Sequence, residues 1–411
     1  MDGVNDFQDN NNYKPRIIII LNRLVIGGPS ADTISLAFYL QKKFEILILF
    51  GEKESDEIQA DFLLKKYPNL QLKKIKYLRR SINPLVDVAA FFSILNIFYS
   101  FKPTIVHTHG SKSGFLGRFA AWLSSVPVII HTFHGHLFHA YFHESISKII
   151  LFSEKLLAKI TTSIITLSEQ QQFDLIYKYK IADKNKIILI PLGVDESLLQ
   201  ENSSLHRNNF REKYGLQKND IAIGIIGRIV PIKNHKLFIK IAEELLSKGI
   251  GNIFFFIVGD GNGKVELQNY LLSKHLSYAE GLNSTNSKFI FTSWIENVAT
   301  VYHGLDILLL TSLNEGTPLS IIESQICGKP VVATNVGGVK DTFIPNKSGF
   351  LIDGFESAKY IEALMLLINN EELRKEMSNH AVEFSLLNYK KENEVIATTK
   401  LYQYHISNQP I

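Results

Sequence analysis

Short, wholly apolar runs alternate with helix-length stretches along almost the entire chain. IIIIL at 17–21 precedes a helix expected from Ala31, and EILILF at 45–50, TIVHTH from 104, PVIIHT from 127, SIITLS from 163 and KIILIP from 186 continue the series. Runs apolar at every position predict strands buried on both faces, and helices between them predict a parallel sheet covered on both sides. One doubly wound domain is therefore expected over 15–195, after a polar lead at 1–14 expected to be disordered. The stretch 196–219 is polar, lacks long apolar runs and reads as a linker. A second series follows: IAIGIIG from 221, IFFFIVG from 253, KFIFT from 288, DILLLT from 306 and PVVAT from 330. It predicts a second doubly wound domain over 220–385, with a helical tail at 386–411. The expected architecture is α/β, two Rossmann-like domains facing a cleft, with ligand in the crevice where the carboxyl ends of the strands meet.

Composition adjusts this picture in a few places. With 411 residues and 45% apolar content, two separate cores are natural. The net charge of +4 is too small and too dispersed for a nucleic-acid binder. A single cysteine, Cys327, excludes an internal disulfide framework and fits a reduced compartment. The N-terminus lacks the basic and apolar regions of a signal peptide, so a cytoplasmic protein is expected. The run VDVAAFFSILNIFYSF at 86–101 is interrupted by Asp87, Ser93 and Asn96 and falls short of the ~20 residues that a membrane span needs. It reads as a buried helix. The segment 62–80 holds seven basic residues and no acidic one. It is either a solvated face or a patch resting on anionic lipid, which would bring the protein to the inner face of the plasma membrane.

The densest candidate chemistry lies at 309–338. A strand over 306–311, a turn over 314–317 and a helix with Pro318 at its first position would leave the N–H groups of Gly316, Thr317 and Leu319 free to face a phosphate, with the positive end of the helix dipole behind them. Glu315 and Glu323 flank this helix start. Beside a diphosphate both carboxylates would be repelled, so their oxygens are expected to accept hydrogen bonds from neutral hydroxyls such as those of ribose and a hexose. Between the strand at 221–226 and the next helix, Gly227 opens a turn that carries Arg228 and Lys233. Alone, these two read as solvated surface charges. Beside the glutamate pair they become a fork and a mobile point charge, able to neutralise a leaving nucleoside diphosphate without a metal. No Asp-x-Asp motif is present, and no metal site is expected.

In the first domain, Gly27 and Gly28 sit in a strand-to-helix loop where backbone can approach a phosphate. A histidine cluster marks two successive strand ends: His107 and His109, then His131, His134 and His136. His107 and His131 fall within strands and suit hydrogen bonding in the core. His134, just past its strand, is the candidate for touching ligand.

With these residues in view, the chain resembles the retaining glycosyltransferases of family 4, which have the GT-B fold. The resemblance rests on Gly27-Gly28, HTHGSKSGFLGR, HTFHGH, PLGVD at 191–195, GRIVPIK at 227–233, VGDG at 258–261 and the Glu315-x7-Glu323 element. It implies that Arg228 and Lys233 hold the donor diphosphate, that Glu323 reads the ribose and that Glu315 reads the transferred sugar. Gly316, Thr317, Pro318 and Leu319 would line the sugar and phosphate, Gly28 would meet the diphosphate from the opposite domain, His134 would sit beside the sugar, and Trp294 would lie against the nucleobase. The donor would be a UDP- or GDP-sugar, no further cofactor would be needed, and the acceptor would be a glycan or a lipid-linked sugar. Two other readings share the same groups: a sugar-nucleotide epimerase of this fold, and a non-catalytic scaffold that binds sugar nucleotides.

Overall fold

The computed structural model describes residues 14–55, 57–135, 144–281 and 287–408, with side chains at 144–146 excluded. The lead at 1–13 and His136 lie outside the described residues. Seven parallel strands form the first sheet: β1 (Arg16–Arg23), β2 (Glu45–Gly51), β3 (Gln71–Lys74), β4 (Ile105–His109), β5 (Val128–Phe133), β6 (Ser163–Thr166) and β7 (Ile187–Leu189), in the order β3-β2-β1-β4-β5-β6-β7. The second sheet repeats the plan: β8 (Ile221–Ile226), β9 (Ile253–Val258), β10 (Tyr278–Glu280), β11 (Phe289–Ser293), β12 (Ile307–Leu310), β13 (Val331–Thr334) and β14 (Gly349–Ile352), in the order β10-β11-β9-β8-β12-β13-β14. All pairings in both sheets are parallel.

The unbroken apolar runs have the expected cause. Side chains alternate across a strand, so Ile17, Ile19 and Leu21 enter one layer with the helix Gly28–Leu40, while Ile18 and Ile20 enter the other with the helix Pro84–Phe101. Both layers are packed with buried apolar side chains, so Ile17 to Leu21 have no face open to a polar residue. Strand order reverses between β1 and β4 in the first sheet and between β8 and β12 in the second. The carboxyl ends of these four strands carry Arg23, His109, Arg228 and the segment after Leu310, and the two reversals face one another.

Three expectations need correction. The stretch read as a linker contains the helices Glu196–Gln200 and Ser203–Lys213. The second of these packs on the second domain, with Arg207 and Arg211 both bound to Asp306 (2.8 and 3.3 Å) and Phe210 buried in a cluster with Phe256 and Ile290. Pro318 is the cap before the helix Leu319–Ile326 and not its first residue. The helix Pro84–Phe101 is not buried: only one side of it, with Ala90, Ile94, Ile97 and Phe98, enters the core.

The chain crosses between the domains twice, at neighbouring places. Val194 N–H donates to the Tyr389 carbonyl (2.8 Å) and Lys391 N–H to the Val194 carbonyl (2.9 Å). The last helix, Lys391–Ser407, then lies on the helix Gly28–Leu40, where buried Lys391 pairs with Asp32 (3.0 Å) and Glu394 (2.7 Å).

Candidate functional site

The loop after β12 brings a carboxylate to a lysine. Glu315 Oε1 lies 2.6 Å from Lys233 Nζ and accepts a hydrogen bond from Ser312 Oγ at 2.6 Å. Lys233 reaches it because Pro231–Lys233 forms a single tight turn after β8, closed by the Lys233 N–H bond to the Val230 carbonyl (3.0 Å). Ser312 was not singled out in the sequence, although its place three residues before Glu315 puts it within reach across the turn.

Arg228 points elsewhere. Its guanidinium is 3.9 Å from Glu57 of the first domain, which also pairs with Arg23 at 3.1 Å. Arg228 and Lys233 thus leave one turn in different directions, one toward the facing domain and one toward Glu315. Glu57 and Arg23 carry no motif and were invisible in the sequence.

The helix start at Leu319 faces the first domain closely. A methyl group added to Gly316 would overlap the His134 carbonyl oxygen, and one added to Gly28 would stand 3.9 Å from Leu319 Cβ. Glycine at 316 therefore lets the two domains meet at the histidine loop. Ile321 N–H donates to the Pro318 carbonyl (3.1 Å), so the N–H groups of Leu319 and Ser320 precede the first intrahelical bond. Thr317 Oγ1 beside them is buried without a hydrogen-bond partner. Gly27 caps the helix that Gly28 begins, so both loop glycines lie at a helix start in the opposite domain.

Glu323 sits one turn into the helix. Tyr302 OH donates to its Oε2 at 2.7 Å, and burial pushes the carboxyl up to about 7, opposed by that hydrogen bond and by Lys66. Trp294 is half-buried after β11, its ring 3.4 Å from where a side chain on Gly259 would begin. It occupies the same strand end as the loop of Gly227 and Arg228.

The histidines divide into a bonded pair at the cleft and two rings that hydrogen-bond in the core, as expected of His107 and His131. His134 Nε2 and His109 Nδ1 are 2.8 Å apart, so one ring donates and the other accepts. His107 bonds Tyr402 OH (2.6 Å) and Thr132 Oγ1 (2.7 Å), and His131 bonds Thr108 Oγ1 (2.8 Å). Burial lowers the pKa of all four, with neighbouring charges adding to it or opposing it. His109 as the support of His134 follows from the adjacency of β4 and β5 and has no signal in linear spacing.

The chain is similar to known proteins over most of its length. The pattern of the family Glycosyltransferase Family 4 matches residues 26–198, and that of Glycosyl transferases group 1 matches residues 206–384. The chain is 32% identical over 300 residues to the Escherichia coli UDP-Gal:alpha-D-GlcNAc-diphosphoundecaprenol alpha-1,3-galactosyltransferase, covering 72% of this chain and 74% of that one. It is 26% identical over 325 residues to the Staphylococcus aureus capsular polysaccharide biosynthesis glycosyltransferase CapM, covering 77% and 80%. Its fold matches Thermosynechococcus elongatus sucrose-phosphate synthase with a TM-score of 0.79 at 17% identity, covering 96% of this chain and 100% of that one. It also matches Anabaena HepE in complex with UDP, with a TM-score of 0.77 at 17% identity, covering 95% and 100%. With its two halves matched by these two glycosyltransferase patterns, a relative 32% identical over 72% of the chain and the strands arranged as two facing sheets, this protein belongs to glycosyltransferase family 4, with the GT-B fold.

Proposed function

We propose that the protein is a retaining glycosyltransferase that moves a hexose or N-acetylhexosamine from a UDP-sugar to a lipid-linked or glycan acceptor, in the synthesis of a bacterial cell-surface polysaccharide or glycolipid. The observation that carries this is the Lys233–Glu315 pair at the strand-order reversal of the second sheet, directly before the Gly316 contact with His134. A cation for the diphosphate and a carboxylate for the sugar then stand side by side at the point where the acceptor domain arrives. Arg228, now 3.9 Å from Glu57, turns to the donor as the second cation of the diphosphate. Glu323 accepts from the ribose hydroxyls, Trp294 flanks the base, and Thr317 Oγ1 gains the partner it lacks. The names of the Escherichia coli relative, which uses UDP-galactose, and of HepE, bound to UDP, favour uridine over guanosine.

In the transfer step, the bond from the anomeric carbon to the phosphate oxygen breaks and its electron pair stays on the nucleoside diphosphate. The acceptor oxygen forms its bond on the same face, and its proton passes to the departing phosphate. Lys233 and Arg228 stabilise the growing phosphate charge. Glu315 and His134 hold the sugar and its neighbourhood. The test is donor binding followed by transfer. A UDP-sugar at 100 times its dissociation constant should stabilise the fold by about 2.7 kcal/mol, and an acceptor bearing a lipid diphosphate should yield a product of unchanged anomeric configuration by proton coupling. An inverted product, or a new sugar nucleotide formed without acceptor, would sink this reading. Tight donor binding without turnover across an acceptor panel would leave only the scaffold.

A further inference from the structure

Three neighbouring helices on one side of the first domain carry apolar side chains on their outer faces as well as their inner ones. On the helix Pro84–Phe101, Leu85, Val88 and Phe92 are 85%, 54% and 60% exposed, at spacings that place them on one stripe. The helix Ser111–Leu123 packs beside it and presents Phe115, Phe119 and Trp122 at the same spacing. Phe91 meets Phe119 at 5.5 Å across the gap, and Phe119 stacks on Trp122. The helix Glu144–Ile160 continues the surface with Ile149, Phe152 and Leu156. Three parallel stripes on adjacent helices make one broad apolar face, where a soluble surface carries such residues singly.

The charges around this face are mainly basic. Residues 84–123 and 144–160 together hold six basic and three acidic residues. Asp87 pairs with Lys112 and Glu154 with the buried Arg118, which leaves Glu144 as the one other acidic residue against four lysines, Lys155 and Lys159 among them. A second copy of the chain applied face to face would set lysine against lysine. An anionic surface would not. The face also begins at the cleft. Arg80 and Ser81, just before the helix Pro84–Phe101, donate backbone N–H groups to Glu54 (3.1 and 3.3 Å), whose own N–H donates to Glu57, the partner of Arg23 and Arg228 at the cleft.

We infer that the helices Pro84–Phe101, Ser111–Leu123 and Glu144–Ile160 form a docking face for the surface of an anionic lipid bilayer, with aromatic and aliphatic side chains entering the headgroup boundary and the lysines engaging lipid phosphate. Docked this way, the protein holds the mouth of its cleft at the membrane surface. The face is distinct from the basic segment 62–80, which covers the short helix Asp61–Lys66, the edge strand β3 and the turn after it. It does not depend on the donor or acceptor named above, because vesicle binding is read without either.

The full chain is tested by co-sedimentation with vesicles of phosphatidylethanolamine and phosphatidylglycerol, against vesicles of phosphatidylcholine alone. At least tenfold tighter binding to the anionic vesicles is expected. The triple variant Phe92→Ser, Phe119→Ser, Phe152→Ser should lose that binding while keeping its response to UDP-sugar in a thermal-shift assay. If the triple variant fails to fold, Lys155→Glu with Lys159→Glu should weaken anionic-vesicle binding several-fold. Equal binding to both vesicle types, no binding, or undiminished binding by the variants would overturn the inference. So would a dimer in the ultracentrifuge that the triple variant abolishes, since the face would then belong to a second copy.

Discussion

Lys233 Nζ and the Oε1 of Glu315 are 2.6 Å apart although the two residues are 82 positions apart in the chain. The pair joins the ends of β8 and β12, and both partners are mostly shielded from solvent. A diphosphate entering here competes with Glu315 for the lysine, so the two residues should answer differently to substitution. Lys233→Ala removes the cation and leaves the carboxylate facing the phosphates, and kcat/KM should fall on the order of 10²- to 10³-fold. Glu315→Gln frees the lysine while weakening sugar recognition. Affinity for UDP should hold or rise in that variant while transfer falls. Equal weakening of UDP and UDP-sugar binding by Glu315→Gln would show that Glu315 does not read the sugar.

Gly316 makes a second, sharper test, because it lies where the domains touch. A methyl group there overlaps the His134 carbonyl oxygen, and Gly135 Cα stands close behind. Gly316→Ala should hold the histidine loop away from the donor, lowering kcat/KM at least tenfold. UDP affinity should change little, since Arg228, Lys233 and Glu323 all belong to the second domain. Gly251→Ala, where an added methyl meets nothing within 4 Å, is the matched control and should be silent.

Glu323 should make donor binding depend on pH. Its folded carboxyl titrates near about 7, raised by burial from an ordinary value of 4.5. Between those values the folded state holds a proton that the unfolded state has released, so this residue's contribution to stability falls as pH rises through the window. Glu323→Gln should therefore raise Tm at pH 8 and leave it nearly unchanged at pH 4.5, with a gain of about 1–3 kcal/mol at the higher pH. UDP-sugar affinity should run the other way in the native protein, tightening from pH 6 to pH 8 as the ribose gains an ionised acceptor. The nucleotide sugar has no ionisation of its own in that range, so calorimetric titration reads the protein group. A donor affinity that is flat with pH and identical in Glu323→Gln would remove Glu323 from the ribose.

How far the sequence reaches depends on what each residue answers to. Ile17, Ile18, Ile19 and Ile20 are wholly buried on both faces, and that burial is what an unbroken apolar run encodes. The missed strands β3, β10 and β14 are all at sheet edges or short, and QLKK of β3 keeps three of its four residues exposed. They are strands because a neighbour's backbone pairs with them, which composition does not record. The helix at 203–213 was legible in principle, with Arg207, Phe210, Arg211 and Tyr214 at helical spacing toward one side. Its low apolar content hid it. The exposed stripe of Leu85, Val88 and Phe92 shows the reverse case: apolar character was plain, but whether anything covers it depends on tertiary position. At the candidate site, residue types and loop positions were readable. The pairing of His134 with His109, the turn of Arg228 toward Glu57 and the donation from Tyr302 to Glu323 arise from strand order and helix packing.

The buried histidines predict acid sensitivity. His107 and His235 are lowered to about 3, His109 and His131 lie well below 6.5, and His134 is lowered too, in each case chiefly by burial. A histidine kept neutral in the fold takes up its proton only on unfolding, so below pH 6.5 the unfolded state binds more protons and stability falls as pH falls. Each such proton is worth up to about 1.4 kcal/mol per pH unit. Glu323 and Glu394, raised to about 7 and about 8, work against this by favouring the fold at low pH, but there are two of them against five histidines. Tm should therefore drop steeply between pH 6.5 and 5, with net proton uptake on unfolding across that range. His131→Asn tests the cause at a position away from the cleft surface. The amide can keep the bond to Thr108 without titrating, so this variant should lose less stability on acidification than the native chain, even if it is less stable at pH 8. A Tm unchanged from pH 7 to pH 5 would mean that these rings are hydrated in solution and that the His109–His134 bond does not form as the structure has it.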